Sequence, residues 1–180
     1  MLCKKLHHAA FRCKDAAATT RFYTGVLGLK FSHAITQEAV PSTGQHCPHI
    51  HIFFEMQDGS SIAFFECPTA PGEVKDMVSP AWIQHFAFQV DSEEVLRQAQ
   101  AELEHLGVPV VGPVNHDDYV LSIYFADPSG HRLELTTPIC PPGRLKEFAA
   151  RAPGVLEEWT QRRAPSRPID IDLQPMPETR

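Results

Sequence analysis

An internal repeat is the sequence feature that most constrains this fold, because the same order of predicted elements runs through the chain twice. His8-Ala-Ala-Phe and His85-Phe-Ala-Phe open the two units at equivalent places. In each unit a strand is followed by a helix and then by three further strands. One such sheet has too little core alone, whereas two side by side enclose a cleft. We therefore expect an α+β fold of two tandem βαβββ modules forming a cleft, with a C-terminal helical tail.

Capping residues, turn signals and apolar alternation set the boundaries of the predicted elements. Asp15 is expected to cap the first helix and Asp91-Ser92 the second, while Asp58-Gly59 is a strong hairpin turn. The predicted strands are 5–13, 31–37, 49–56 and 61–67, then 83–90, 108–111, 121–126 and 132–137, with helices over 16–26 and from the 91–92 cap to about 106.

The repeat stops before the C-terminus. Pro141-Pro142-Gly143 breaks the chain, and 144–163 then shows helical spacing of apolar residues, interrupted at Pro153-Gly154. This amphipathic stretch is predicted to dock on the domain or on a partner subunit, and the end from Ala164 is Pro-rich and extended. The expected organisation is a domain over 1–140, with modules at about 5–69 and 80–138, and an extension over 141–180.

Charge and cysteine usage exclude several classes of partner. The net charge is −6 with no block of Lys and Arg, which argues against binding to nucleic acid or to an anionic membrane. No apolar run is long enough to span a bilayer, and the N-terminus is not a secretory signal. The five cysteines are odd in number and dispersed, which indicates reduced thiols in a cytoplasmic protein. Nucleic acid and membranes are therefore not expected partners.

Three residues on predicted strands are candidate metal ligands: His8, His85 and Glu134. Side chains alternate across a strand, and each of the three lies opposite apolar neighbours. A single histidine or glutamate on a strand is usually structural, but three at matching positions of a repeated unit favour a site. Two imidazoles and a carboxylate with open positions suit Fe(II), while Mn, Zn, Ni or Co could also bind.

Longer motifs resemble the vicinal-oxygen-chelate superfamily. They are His-Ala-Ala-Phe-Arg-Cys-Lys-Asp at 8–15, Arg-Phe-Tyr-Thr-Gly-Val-Leu-Gly-Leu at 21–29, and Tyr-Phe-Ala-Asp-Pro-Ser-Gly-His-Arg-Leu-Glu-Leu at 124–135. This superfamily includes glyoxalase I, extradiol dioxygenases, fosfomycin-resistance proteins and bleomycin-resistance proteins. The resemblance covers about 5–138, and by position it implies one metal centre held by His8, His85 and Glu134.

Glyoxalase I takes a further ligand from the last strand of its first module, and this chain departs from that pattern. Aligning Ala63-Phe64-Phe65 with Leu133-Glu134-Leu135 places Phe64 there, which cannot bind metal. Glu66 lies two residues on and shares the face of Phe64, so it is a poor substitute. The departure lowers glyoxalase I among the hypotheses.

Extradiol dioxygenases carry a Tyr ten residues before the ligand Glu, and Tyr124 is similarly placed. There it hydrogen-bonds a substrate oxygen, and the resemblance implies the same role here. His116, in a predicted polar loop, precedes Tyr124 much as a histidine does in those enzymes. Their acid–base histidine is missing, because its place holds Ser60-Ser61, but either His49 or His51 on the hairpin could reach the metal pocket.

The resemblance implies a mononuclear metal-dependent enzyme, with an Fe(II) ring-cleaving dioxygenase as the first hypothesis. Its substrate would be a catechol-like aromatic with vicinal oxygens. A second hypothesis is a glyoxalase, isomerase, epimerase or thiol-transferase type of reaction with the metal as a Lewis acid. A third is metal-free binding, as in bleomycin resistance, which three intact ligands argue against. Proteins with this fold usually pair, so a homodimer is expected.

Overall fold

The computed structural model describes residues 3–70, 72–74 and 77–163, and it contains two four-stranded sheets with associated helices. The first module contains β1 (His8–Arg12), α1 (Ala16–Gly25), β2 (Lys30–Ala39), β3 (His46–Glu55) and β4 (Ser61–Glu66). The second contains β5 (His85–Gln89), α2 (Glu93–His105), β6 (Val111–His116), β7 (Val120–Ala126) and β8 (Arg132–Pro138), and α3 (Arg144–Arg163) follows. The prediction of two tandem βαβββ modules with a C-terminal helix is confirmed.

The two sheets share one topology, with strand orders β1-β4-β3-β2 and β5-β8-β7-β6. In each, the first strand pairs in parallel with the last, and the other neighbours are antiparallel. His8 is paired with Ser61, and His85 with Arg132. Since directly paired side chains lie on the same side of a sheet, these registers decide which residues accompany each histidine.

Both predicted helix caps are confirmed. The Asp15 carboxylate accepts a hydrogen bond from the amide of Ala18 at 2.7 Å, and the Ser92 hydroxyl accepts one from Val95 at 3.3 Å. Each satisfies a backbone donor that the first helical turn leaves without a partner. The local sequence therefore fixes where α1 and α2 begin.

The hydrophobic core lies behind both sheets and includes both helices. Tyr23 of α1 is fully buried against Phe54 and Phe64 of the first sheet, and Leu96 of α2 is fully buried in the second module. Buried residues of the two modules form a single hydrophobic cluster. The modules therefore share one core, which neither sheet could enclose alone.

Specific contacts join the modules. Phe11 of β1 and Phe86 of β5 have ring centroids 4.3 Å apart. The Tyr23 hydroxyl donates to the buried Asp127 carboxylate at 3.2 Å. Nε2 of His131, which is 8% exposed, lies 2.7 Å from the Arg12 carbonyl oxygen, so it donates to that carbonyl. These contacts fix one module against the other.

The predicted strand over 108–111 is wrong, because β6 occupies Val111–His116. His116 therefore ends a strand and does not lie in a loop as predicted. The misplacement came from Gly112-Pro113, which the ladder accommodates at an irregularity between Val111 and Val114. Gly112 has φ 126°, and a Cβ there would meet the Ser122 carbonyl oxygen at 2.7 Å, so the position requires glycine.

The predicted interruption of the C-terminal helix is also wrong, since α3 runs through Pro153. Phe148 packs on Tyr119, with centroids 5.4 Å apart, whereas Leu156 and Trp159 are exposed. The predicted tail from Ala164 onward lies outside the described residues. Within the described part of the chain, no helix is long and apolar enough to cross a membrane.

Candidate functional site

The open side of the second sheet carries a group of polar side chains. In the ladder, Arg132 is paired with His85, and Glu134 is paired with Ala87 on one side and Tyr124 on the other. The alternate residues Leu133 and Leu135 enter the core. We call this polar group the second face, and it consists of His85, His116, Tyr124, Arg132 and Glu134.

His85 and Glu134 form the central pair of the second face. Nδ1 of His85 lies 3.1 Å from the Ile83 carbonyl oxygen, which can only accept a hydrogen bond, so Nδ1 carries a proton. In a neutral imidazole the lone pair is then on Nε2, which lies 3.0 Å from Oε2 of Glu134. A lone pair and a carboxylate oxygen repel at this distance, so a proton or a metal cation must lie between them. Glu134 is only 6% exposed, which strengthens this requirement.

A second observation, the hydrogen bond of His85 to a backbone carbonyl, also indicates that this pair of donors fits a metal. Histidine ligands commonly donate their other ring N–H to a backbone carbonyl, which fixes the tautomer and aims the ligating nitrogen. The His85–Ile83 contact has this form. His85 and Glu134 are therefore arranged as two ligands with open positions around them.

Tyr124 lies beside this pair. Its hydroxyl is 2.8 Å from Nε2 of His116, so phenol and imidazole share a hydrogen bond. Burial and the nearby Glu134 carboxylate raise the pKa of Tyr124 above its usual value. A phenol held protonated next to the two ligands is a donor for a substrate oxygen.

Arg132 is the member of the second face that sequence reasoning missed. Its guanidinium carbon lies 4.2 Å from the centroid of the Tyr124 ring, in a cation–π contact. Strand parity could have found it, because Arg132 is two residues before Glu134. With His85 and Tyr124 it lines a cavity of about 730 Å³ at the end of the second sheet.

The first sheet has an open side of a different character. His8 contacts His51 and Phe53, with ring centroids 6.0 and 5.5 Å apart, and His51 stacks on Phe65 at 3.6 Å. Burial and the neighbouring His8, His49 and His33 lower the pKa of His51 to about 4. We call this group the first face, and it consists of His8, His51, Phe53, Ala63 and Phe65.

The β1–β4 register corrects the predicted equivalence between the modules. His8 pairs with Ser61 and Ala10 with Ala63, as His85 pairs with Arg132 and Ala87 with Glu134. Ala63, and not Phe64, is thus the counterpart of Glu134. Phe64 is fully buried in the core, and Glu66 accepts a hydrogen bond from the Ala16 amide at the start of α1. The first module therefore has an alanine at the position where the second module places the Glu134 carboxylate.

The chain does not bring the three predicted ligands together. His8 contacts residues of its own module, while His85 and Glu134 contact each other. Among residues 3–70, 72–74 and 77–163, no group of three His, Cys, Asp or Glu side chains is placed to hold a metal. The reason is orientation: Phe11 and Phe86, on the opposite sides of their strands from the histidines, meet at the contact between modules.

Comparison with known proteins agrees with the resemblance read from the sequence. The family model described as Glyoxalase/Bleomycin resistance protein/Dioxygenase superfamily matches residues 5–135. Comparison with curated proteins gives no match.

Solved structures are similar over most of the chain. An integron cassette protein from the mobile metagenome of the Halifax Harbour sewage outfall is 27% identical, with a TM-score of 0.52, covering 75% of this chain and 99% of that one. The oxidase ChaP-H2 is 26% identical, with a TM-score of 0.54, covering 79% and 99%. Lactoylglutathione lyase from Agrobacterium tumefaciens is 20% identical, with a TM-score of 0.54, covering 76% and 96%, and this likeness concerns the fold alone.

Proposed function

This chain belongs to the glyoxalase/bleomycin resistance protein/dioxygenase superfamily, and on that premise we propose that it is a mononuclear metal-dependent enzyme. Its proposed reaction is Fe(II)-dependent ring cleavage of a catechol-like aromatic. The observation that carries the proposal is the pair formed by Nε2 of His85 and Oε2 of Glu134 at 3.0 Å, next to the hydrogen-bonded Tyr124 hydroxyl. The similarity to an oxidase at 26% identity supports oxidative chemistry over isomerisation.

We propose that a second copy of the chain completes the metal site. His85 and Glu134 would supply two ligands from the second face, and His8 of the partner subunit would supply the third from its first face. Two observations support this arrangement: both faces are turned away from the contact between modules, and the described residues of one chain hold no three-ligand group. A closed pair of chains would then contain two equivalent sites.

The metal would supply a point of attachment for two vicinal substrate oxygens and, as iron, would pass electrons from the bound aromatic to O2. The protein would supply the proton transfers. Tyr124 donates its hydroxyl proton to a substrate oxygen, and Nε2 of His116, 2.8 Å away, orients that hydroxyl. His51 of the partner subunit would accompany His8 and present a neutral imidazole next to the substrate.

Mixing two inactive variants tests whether ligands come from two chains. His8→Ala and Glu134→Ala, each purified alone, should bind no metal in the site. When the two are co-expressed with different tags and the mixed dimer is isolated, one of its two sites has all three ligands. Metal analysis should then recover about half of the wild-type content per chain. His105→Ala, a substitution of an exposed histidine at the end of α2, is the matched control and should keep full content.

Metal content that stays at zero in the mixed dimer would contradict a shared site. Content that stays at the wild-type level in both single variants would contradict the ligand assignment itself.

Anaerobic loading with Fe(II), followed by air and a panel of catechols, tests the reaction. We expect O2 uptake together with a yellow ring-fission product from at least one catechol. Full iron occupancy without O2 uptake would exclude the dioxygenase, and turnover of a hemithioacetal or an epoxide would then identify the Lewis-acid class. No bound metal and no metal-dependent thermal shift would identify a binding protein.

A further inference from the structure

We propose that the substrate carries a carboxylate and that Arg132 binds it. The inference rests on the proposed function of the same site and adds a substrate class to it: an aromatic acid whose carboxylate lies across the ring from its vicinal oxygens. The recognising group is a guanidinium that forms no ion pair with a carboxylate among the described residues.

Register places Arg132 within reach of the reacting end of a substrate. It is paired with His85 across β5 and β8 and lies two residues before Glu134 on the same strand. Its side chain lines the cavity of about 730 Å³ together with His85 and Tyr124. A ligand attached at His85 and Glu134 would extend into this cavity and meet Arg132.

The charge of Arg132 has no counter-ion among the described residues. The nearest candidate by position is Glu134, but that carboxylate is paired with His85. Nε of Arg132 is shielded from solvent and has no hydrogen-bond partner. A shielded N–H without an acceptor is costly and leaves the guanidinium charge uncompensated, so an anion that reaches the outer nitrogens of the guanidinium would gain more here than at the surface.

Tyr124 holds the guanidinium in place before any ligand arrives. The 4.2 Å contact between the guanidinium carbon and the ring centroid restricts an otherwise flexible side chain. A fixed, planar guanidinium matches a planar carboxylate with two parallel hydrogen bonds. The cation is therefore prepared for one carboxylate, and it is the single Lys or Arg among the lining residues described for this cavity.

Apolar side chains form much of the rest of the wall, among them Phe11, Ile83, Phe86 and Val111. These surfaces accommodate the body of an aromatic ring. A ring with oxygens at one end and a carboxylate at the other matches the three parts of the cavity.

Calorimetric titration of the metal-loaded full chain tests the proposal with two isosteric probes, 3,4-dihydroxybenzoate and its neutral analogue 3,4-dihydroxybenzamide. We expect the benzoate to bind at least about tenfold more tightly, as for a charge-assisted bidentate contact. Arg132→Met should remove this preference while the affinity for the benzamide changes less than about threefold. Arg144→Met, which removes a half-buried arginine paired with Glu147, is the control and should keep the preference.

Equal affinity of the wild-type protein for the two probes would overturn the proposal, and so would a preference that survives in Arg132→Met. Arg132→Gln keeps an amide in place of the guanidinium and should lose the same preference, so the test holds even if the methionine variant does not fold.

Benzoate and benzamide, titrated into metal-free protein, separate this inference from the proposed function. A preference for benzoate that depends on Arg132, without any metal-dependent binding of catechols, would keep the anion site and reject the metalloenzyme. Metal-dependent catechol binding without any carboxylate preference would do the reverse.

Discussion

The two modules have the same topology but differ in the chemistry of their open faces. On the second face, His85 meets a buried carboxylate, Tyr124 is hydrogen-bonded to His116, and a guanidinium covers the phenol ring. On the first face, aromatic rings contact one another: His8 and His51 contact each other and phenylalanines. Ala63 occupies the position that Glu134 has on the second face.

The difference indicates a division of roles between two copies of one structural unit. In the proposed function, ligation by oxygen, proton donation and charge recognition would all belong to the second face. The first face offers imidazoles within an aromatic surround, which suits one nitrogen ligand and an apolar wall. The repeated fold thus fixes where side chains are presented, and the residues at matching ladder positions decide what they do.

The largest expected effect compares two glutamates on the last strands of the two modules, Glu134 within β8 and Glu66 at the end of β4. Glu134→Ala should lower metal affinity more than about 100-fold, because it removes a ligand and leaves His85 without a partner. Glu66→Ala should leave metal affinity within about threefold. Glu66 faces the start of α1, where it accepts from the Ala16 amide, so that variant loses stability instead, by about 1 kcal/mol. Competition with a chromogenic chelator measures the affinities, and equal losses would contradict the assigned faces.

A smaller effect compares the hairpin turns of the two modules. Asp127 is buried and accepts from Tyr23, Ser129 and His131, whereas Asp58 is exposed and accepts from Ser60.

Asp127→Ala should reduce the free energy of unfolding by about 2–4 kcal/mol, because it leaves the buried Tyr23 hydroxyl without an acceptor. Asp58→Ala should cost much less, since water replaces the lost carboxylate. Urea unfolding measures both, and a larger loss in Asp58→Ala would show that the contact between modules contributes little to stability.

Removal of the Tyr124 hydroxyl tests the proton-donating role of the second face. Tyr124→Phe should keep its metal and lose about 10- to 100-fold in turnover, the range of a single positioned donor. Tyr119→Phe is the matched control, since the Tyr119 ring packs on Phe148 of α3. Steady-state O2 uptake measures both variants. Unchanged turnover in Tyr124→Phe would contradict proton donation by the phenol and indicate a structural role.

The smallest effect concerns His51, whose Nε2 is shielded and has no partner. His51→Phe should change stability at pH 7 by less than about 1 kcal/mol, since it replaces an unsatisfied ring by an apolar one.

The pKa of His51 is lowered from 6.5 to about 4, so the folded state favours the neutral ring. The wild-type protein should therefore lose stability as pH falls from 6.5 towards 4, whereas His51→Phe should lose less. Thermal unfolding at several pH values measures this, and parallel pH profiles would contradict burial of the neutral ring.

Local sequence signals predicted much of the fold. Asp15 and Ser92 mark helix starts because capping depends on nearby backbone donors. The repeat predicted the modules, and strand parity placed His85 and Glu134 on one face. The strand prediction over 108–111 failed because strand formation there depends on pairing with another strand: β6 contains Gly112-Pro113 because β7 pairs with it.

The offset between Phe64 and Ala63 has the same origin. It follows from the β1–β4 register, which links residues more than fifty positions apart and leaves no local signature. Arg132 was missed because its proposed role depends on its having no ion pair with a described carboxylate in the folded chain, and the sequence alone does not reveal this. The separation of His8 from His85 depends on how the modules pack, which strand parity alone does not determine.

The shared core has a consequence for how such a chain can be inherited and altered. Phe11 packs on Phe86, and the Tyr23 hydroxyl donates to Asp127. A substitution in the core behind either sheet therefore changes the packing of both modules. Substitutions on the open faces meet no such constraint from the other module. Two halves joined in this way can diverge on their open faces but must change together in the shared core, so a new specificity can arise in one half without rebuilding the other.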